Sequence, residues 1–214
     1  MRRPRVLLAD DHTIIMDGLC AVLEPQFEVV GRVEDGRALL AAAEQLHPDV
    51  IVADISMPLL SGIEAARQLR KIDPKSRVIF LTMHLEVDLA TEAFRAGAVG
   101  YVLKSAAADE LRTAIDEALL GRTYITPRIA RDVLQALMKR PSESDERHEA
   151  LTSRQREVLQ LLAEGHTSKE IASILHVSKK TVEFHKGRIK EELGLRTIAE
   201  LTQYALKRGL ISNS

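Results

Sequence analysis

Val50-Ile51-Val52-Ala53-Asp54 is the stretch on which the fold turns: four apolar residues without alternation, followed at once by an acid. A short run of this kind, rich in Val and Ile, fits a strand buried on both faces. The same form precedes Asp10-Asp11 in Arg5-Val6-Leu7-Leu8-Ala9, and related runs occur at Phe27–Val33, Val78–Leu81 and Val99–Leu103. Between them the apolar residues take helical spacing, as in Leu39, Leu40, Ala43 and Leu46, in Ile63, Ala66 and Leu69, in Leu89, Ala93 and Ala96, and in Leu111, Ile115 and Leu119. Five strand-then-helix units predict an α/β domain with a five-stranded, doubly wound parallel sheet. Such sheets carry their sites at the carboxyl ends of the strands.

The whole chain has 214 residues, room for more than one domain. Hydrophobic residues make up 45% and aromatics 3%, so the core is expected to be aliphatic. A single cysteine, Cys20, excludes an internal disulfide and a cysteine zinc cluster, and points to a reducing compartment. No apolar run approaches the ~18 residues of a membrane span. Met1-Arg2-Arg3-Pro4-Arg5 has the charge of a signal-peptide start, but Val6–Ala9 is too short for its apolar region. A soluble, cytoplasmic protein with no membrane partner is expected. The net charge of −1 hides a split: residues 1–120 hold 13 Lys and Arg against 19 Asp and Glu, and residues 151–214 hold 11 against 7. The basic end is a candidate for nucleic acid, although many surfaces are this lopsided.

Residues 121–150 change character. Gly121 ends one helix, and Thr126-Pro127 opens another to about Lys139 with Ile129, Val133 and Leu137 on one face. Residues 140–149 are polar throughout and read as a mobile linker. The expected division is residues 1–121, a linker with a helix over 122–149, and a domain of four helices over 150–214.

The strand ends are informative. Strand 1 ends at Asp10-Asp11, strand 3 at Asp54, strand 4 at Thr82 and strand 5 at Lys104. In a parallel sheet these share one edge. An Asp after a strand is usually a turn or cap residue; it is the conjunction that is specific. Crowded carboxylates repel unless a cation intervenes, and an open oxygen-lined site suits Mg²⁺. A metal beside Asp54 could hold an incoming phosphoryl group while Lys104 screens its charge.

These residues resemble a two-component receiver domain: Leu8–His12, Val52–Pro58 with Gly62, Leu81-Thr82 and Gly100–Lys104. The resemblance covers residues 5–120 and implies a flavodoxin-like fold. It implies that Asp54 accepts a phosphoryl group from a sensor histidine kinase and that Asp10, Asp11, Asp54 and the Ser56 carbonyl arrange Mg²⁺. It further implies that Thr82 moves to the phosphoryl oxygens, with Tyr101 turning inward behind it. Ser56 and His84 flank the expected phosphoryl position and are expected to tune its lifetime. Many receivers follow the lysine with a cis proline, whereas here Ser105 follows Lys104. The Asp-nucleophile phosphatases need a second carboxylate two residues on, where this chain has Ser56. No Walker loop, G-x-G-x-x-G, zinc motif or G-x-S-x-G elbow is present. Phosphoryl transfer onto the chain itself is single-turnover, so no enzyme is expected.

In the basic end, Thr152 or Ser153 can cap a helix that Gly165 ends. A short helix from Ser168, a turn at His176–Ser178 and a helix over Lys179–Leu193 make a helix-turn-helix. At 100° per residue Val182, Ile189 and Leu193 face the core. Lys180, Glu183, Phe184, Gly187 and Glu191 fall opposite, flanked by Lys179, Thr181, Arg188 and Lys190. Short or polar side chains rimmed by cations suit a recognition helix. Solvated charge is the bland alternative. Phe184 could touch a thymine methyl or pack on a neighbouring helix, and Gly187 could admit the DNA backbone or be drift.

Leu151–Arg196 resembles the LuxR-type DNA-binding domain of NarL/FixJ response regulators, through Thr152, Arg154, Glu157, Gly165, Glu170–Ala172, Ser178, Thr181–Glu183, His185, Ile189 and Leu193-Gly194. Glu192 departs from a frequent basic residue. The resemblance implies promoter DNA, RNA polymerase and a second copy of the chain as partners. Lys169, Lys179, Lys180, Thr181, Glu183, Phe184, Gly187 and Arg188 are the candidate DNA contacts. Ile198, Leu201 and Ala205 of a fourth helix are the candidate dimer contacts, with packing beneath the recognition helix as the alternative. Control by concentration or by a partner protein, and a metal-dependent phosphohydrolase, are the competing readings.

Overall fold

The computed structural model describes residues 2–138 and 150–211, in two compact units that divide after Met138. The expected linker of residues 140–149 lies outside the described residues. In the first unit β1 (Arg5–Ala9), β2 (Glu28–Val33), β3 (Val50–Ala53), β4 (Val78–Thr82) and β5 (Gly100–Leu103) alternate with α1 (Thr13–Leu23), α2 (Gly36–Leu46), α3 (Gly62–Ile72), α4 (Val87–Ala96) and α5 (Ala107–Leu119). The strands are all parallel, in the order β2-β1-β3-β4-β5. Side chains alternate across each strand, yet both faces are covered. Leu7, Ile51, Phe80 and Tyr101 point into one core, and Val6, Val50, Ile79 and Val102 into another. Two cores, one on each face, are why the strands read as unbroken apolar runs.

The sheet has six strands where five were expected. β6 (Tyr124–Ile125) continues it in parallel beyond β5, pairing Gly100 with Tyr124 and Tyr101 with Ile125. Thr126 extends the join: its N–H donates to the Tyr101 carbonyl (2.9 Å), its hydroxyl accepts from the Leu103 N–H (3.2 Å) and donates to Glu110 (2.6 Å). α6 (Pro127–Leu137) then packs on α4, with Ile129 and Val133 buried in the same core as Tyr101. The helix expected from Thr126-Pro127 is therefore present, but it belongs to the first unit and not to a linker, because its apolar stripe is buried there.

Strand order places the topological crossover at β1, whose neighbours β2 and β3 lie on opposite sides. The crevice this opens at the carboxyl ends of β1 and β3 is where Asp10, Asp11 and Asp54 stand. Gly62 seals it from behind. A Cβ there would lie 2.0 Å from the Asp54 carbonyl oxygen, and its N–H donates to the Ile55 carbonyl (2.7 Å). No larger residue lets α3 start this close to the Asp54 loop.

The second unit is helical throughout its described residues: α7 (Ser153–Ala163), α8 (Ser168–Ile174), α9 (Lys179–Leu193) and α10 (Ile198–Lys207). Thr152, Thr167 and Thr197 cap α7, α8 and α10 as reciprocal boxes with Gln155, Glu170 and Glu200, and Ser178 caps α9. Gly194 ends α9 in the left-handed region (φ 67°), and His176 takes the same region (φ 52°) in the tight turn between α8 and α9. Among the described residues no helix is long and apolar enough to cross a membrane.

Candidate functional site

The crevice brings the strand-end residues together as expected. Lys104 Nζ lies 2.6 Å from Asp54 Oδ2 and 2.7 Å from Asp10 Oδ2, and all three side chains are within a tenth of full burial. Asp54 Oδ1 accepts from the Ile55 N–H at 2.6 Å. The Lys104–Ser105 peptide bond is trans, and Lys104 opens a single 3₁₀ turn, Lys104–Ala106. Burial raises the Asp54 carboxyl above the ordinary carboxylate value; Lys104 opposes this and Asp10 adds to it. Burial also pulls the Lys104 ammonium down, but its two carboxylates outweigh that and hold it above the ordinary lysine value.

Asp10, Asp11, Asp54 and His12 each offer a ligand atom, all within 4.8 Å of one another. Asp10 Oδ2 and Asp11 Oδ1 are shielded from solvent and accept no well-directed hydrogen bond. The nitrogens beside them are Lys104 Nζ, 2.7 Å from Asp10 Oδ2, and His12 Nδ1, 2.9 Å from Asp11 Oδ1 and 3.0 Å from Asp10 Oδ1. Shielded carboxylate oxygens crowded this closely are costly unless cations offset their charge, and this oxygen set fits a hard divalent ion. In the sequence His12 stands only as the end of the Leu8–His12 run, with no ligand role of its own.

Beside the acids lies a polar chain centred on the half-buried His84. Its Nε2 is 3.0 Å from the Ser56 hydroxyl, its N–H donates to Thr82 Oγ1 (3.2 Å), and its carbonyl accepts from the Tyr101 hydroxyl (3.0 Å). Its Nδ1 is 3.4 Å from Glu86. Thr82 and Tyr101 are fully buried, so Tyr101 already stands inward, and burial raises its hydroxyl above the ordinary tyrosine value. Its ring leans on Phe94 of α4 at 6.5 Å between centroids.

In the second unit, Lys169, Lys179, Lys180, Glu183, Phe184, Gly187 and Arg188 are exposed, and Thr181 is half-buried. Val182, Ile189 and Leu193 face the core, as the periodicity required. Lys179 and Lys180 occupy the first turn of α9, which has no acidic residue. That turn is the positive end of the helix dipole, where a nearby anion offsets the clash. Phe184 is 64% exposed, and its ring meets the His185 ring edge-on at 5.7 Å between centroids. A Cβ on Gly187 would meet nothing within 4 Å, so no packing among the described residues requires glycine there. Two candidate contacts are already engaged. Glu183 accepts from the Ser168 hydroxyl (2.6 Å), tying α9 to α8, and the Arg188 fork reaches Glu191 (3.0 Å) and Glu192 (3.2 Å).

The expected dimer face divides. Leu201 and Ala205 are fully buried in the unit, on the side of α10 that packs on α7, and only Ile198 is exposed. Leu201 and Ala205 are thus internal packing, whereas Ile198 is exposed, as are Ala199 and Gln203.

Residues 6–116 match the response regulator receiver domain, and residues 149–205 match the luxR family of bacterial regulatory proteins. The chain is 39% identical to the transcriptional regulatory protein MctR of Rhizobium johnstonii, covering 97% of this chain and 95% of that one. It is 37% identical to the transcriptional regulatory protein LiaR of Bacillus subtilis, over 97% and 99%. The Salmonella typhimurium response regulator RcsB is similar in structure, with a TM-score of 0.65 at 28% identity over 97% of this chain and 99% of that one. An RcsB–DNA complex matches with a TM-score of 0.59 at 28% identity, over the same shares.

Proposed function

This chain belongs to the response regulators that join a receiver domain to a LuxR-type DNA-binding domain, and from that premise we propose that it is a transcription factor switched by phosphorylation of Asp54. The observation that carries the reading is the convergence of Asp10, Asp11, Asp54 and Lys104 in one crevice. Three carboxylates and one ammonium leave a formal charge of −2 there. Mg²⁺, held by Asp10, Asp11, Asp54 and the Ser56 carbonyl, would neutralise it and supply the positive charge that phosphoryl transfer requires.

The chain's own residues do the rest. Asp54 Oδ2 is the nucleophile. Lys104, bridging Asp54 and Asp10, is placed to follow the charge from the carboxylate to the phosphoryl oxygens. The Thr82 hydroxyl gives up its bond with the His84 N–H to reach them, and His84 then shifts against Ser56 and the Tyr101 hydroxyl. Through Tyr101 the change reaches β6 and α6, since the Tyr101 carbonyl holds the Thr126 N–H. Ser56 and His84 set the lifetime of the phosphorylated state. In the second unit α9 enters the major groove, with Lys169, Lys179 and Lys180 on phosphates and the Phe184–Gly187 face toward the bases. The RcsB–DNA complex supports DNA as the partner. A histidine kinase as donor, RNA polymerase as a contact, pairing of two copies on DNA, a cytoplasmic location and the absence of catalytic turnover complete the proposal.

The test is incubation of the full chain with a small acyl phosphate, with and without Mg²⁺. The expected result is one acid-stable, base-labile phosphoryl group per chain, absent without Mg²⁺ and absent in Asp54→Asn. Incorporation that persists in Asp54→Asn contradicts the assignment.

A further inference from the structure

At the opposite end of the sheet from Asp54, where β4 and β5 begin, lies a pocket of about 340 Å³. Its floor is apolar, built from Leu69 of α3, Val78 of β4 and Phe94 of α4. Its rim is cationic, with Arg70, Lys75 and Arg77. None of these three pairs with a carboxylate among the described residues. Arg70 reaches the Arg95 carbonyl at 3.5 Å and Arg77 the Asp49 carbonyl at 3.4 Å. Asp73, in the same loop, already accepts from the Lys75 N–H (3.1 Å) and the Ser76 hydroxyl (2.9 Å). Arg70 sits in the last turn of α3, where a cation also offsets the helix terminus. Lys75 and Arg77 lie outside any helix and have no such role.

The volume lies at the lower end of the class of small-molecule sites, and cations at the mouth favour an anionic group there. We propose that this pocket binds a small organic anion, a carboxylate or phosphate monoester on a flat apolar body. The body would lie along Phe94 and Val78 while the anion meets Lys75 and Arg77. Phe94 is also the ring on which Tyr101 leans, so an occupant would touch the switch. That consequence rests on the function proposed above, whereas binding itself does not and is measured without phosphorylation.

The test is an amide NMR titration of the unphosphorylated full chain with phenyl phosphate. Saturable shifts are expected at Ser76, Val78, Gly97 and Val99. Charge-assisted hydrogen bonds of this kind predict that Lys75→Gln with Arg77→Gln weakens binding by about tenfold or more. Lys75→Gln alone, a change at an exposed side chain, should weaken it in the same direction and keeps the test intact if the double variant folds poorly. Inorganic phosphate and benzyl alcohol, each carrying half of the ligand, should bind more weakly than phenyl phosphate. The proposal is overturned if these amides do not move, if the variants titrate like the parent chain, or if inorganic phosphate alone binds as tightly.

Discussion

In the acidic crevice Asp10, Asp54 and Lys104 are sealed from water and fixed on one another at 2.6–2.7 Å, whereas on α9 Lys179, Lys180 and Arg188 stand in solvent. The two regions carry charge under opposite rules. In the crevice each charge has been desolvated, so every member depends on the others and a single loss is felt by all. On the helix the charges remain hydrated, so their mutual coupling is weak and they act through phosphate contacts that salt can screen. The comparison can be broken by substitutions that ought to be severe in one place and mild in the other.

The largest effect is expected from Lys104→Met. It leaves Asp10 and Asp54 buried without a counter-charge, which costs about 3–5 kcal/mol in comparable buried pairs. Urea unfolding should show this loss, and millimolar Mg²⁺ should recover part of it. A variant as stable as the parent without Mg²⁺ would mean the crevice is wetter than its burial indicates.

Two glycines sharpen the contrast. Gly62→Ala forces a methyl against the Asp54 carbonyl and should cost roughly 1–3 kcal/mol, as overpacking does. Gly187→Ala meets open space and should stabilise α9 by up to about 1 kcal/mol. If DNA approaches that point, the same change lowers affinity while raising the melting temperature. Unchanged affinity would show that the backbone there is not approached.

Smaller effects belong to the rim of α9. Lys180→Gln should reduce the log–log salt slope of DNA binding by about 1. Arg188→Gln should reduce it less, because Glu191 and Glu192 already hold that guanidinium. Glu192→Gln should raise affinity by releasing it. Equal slopes for Lys180→Gln and Arg188→Gln would show that the two glutamates do not restrain Arg188.

The smallest expected effect is on acid stability, and its sign differs between the two regions. Glu170 is held below its ordinary value by the Thr167 N–H and hydroxyl, and Glu200 by the Thr197 and Arg196 N–H groups. Their contribution is present above an unfolded value of about 4.3 and is lost as pH falls through the lower folded values. Asp54 is raised instead. Its folded form holds the proton more tightly, so it favours folding below an unfolded value of about 3.9. That contribution is lost as pH rises through the folded value. Amide exchange resolved by residue should show Glu170→Gln and Glu200→Gln flattening the acid response of α8 and α10, with Asp54→Asn changing the first unit in the opposite sense.

How much was legible follows the same divide. The strand ends were readable because a doubly wound sheet brings them to one edge whatever the loops do. The capped starts and glycine stop of the second unit were readable from Thr152, Ser178 and Gly194. β6 was not, because two residues, Tyr124 and Ile125, are too short to show a period. Periodicity also showed that α6 and α10 each have an apolar side without showing what covers it. Ile129 and Val133 turn out to be covered by the first unit, and Leu201 and Ala205 lie on the side of α10 that packs on α7. The approach of His12 Nδ1 to both Asp10 and Asp11 was hidden because it depends on the fold of the loop rather than on any spacing.

The central claim is that the buried crevice controls the exposed helix. DNA binding of the parent chain and of Asp54→Asn, each with Mg²⁺ and with or without beryllofluoride as an acyl-phosphate mimic, tests it most directly. Tighter binding with beryllofluoride is expected in the parent chain alone. Equal binding in all four conditions would contradict it and leave a DNA-binding protein that Asp54 does not control.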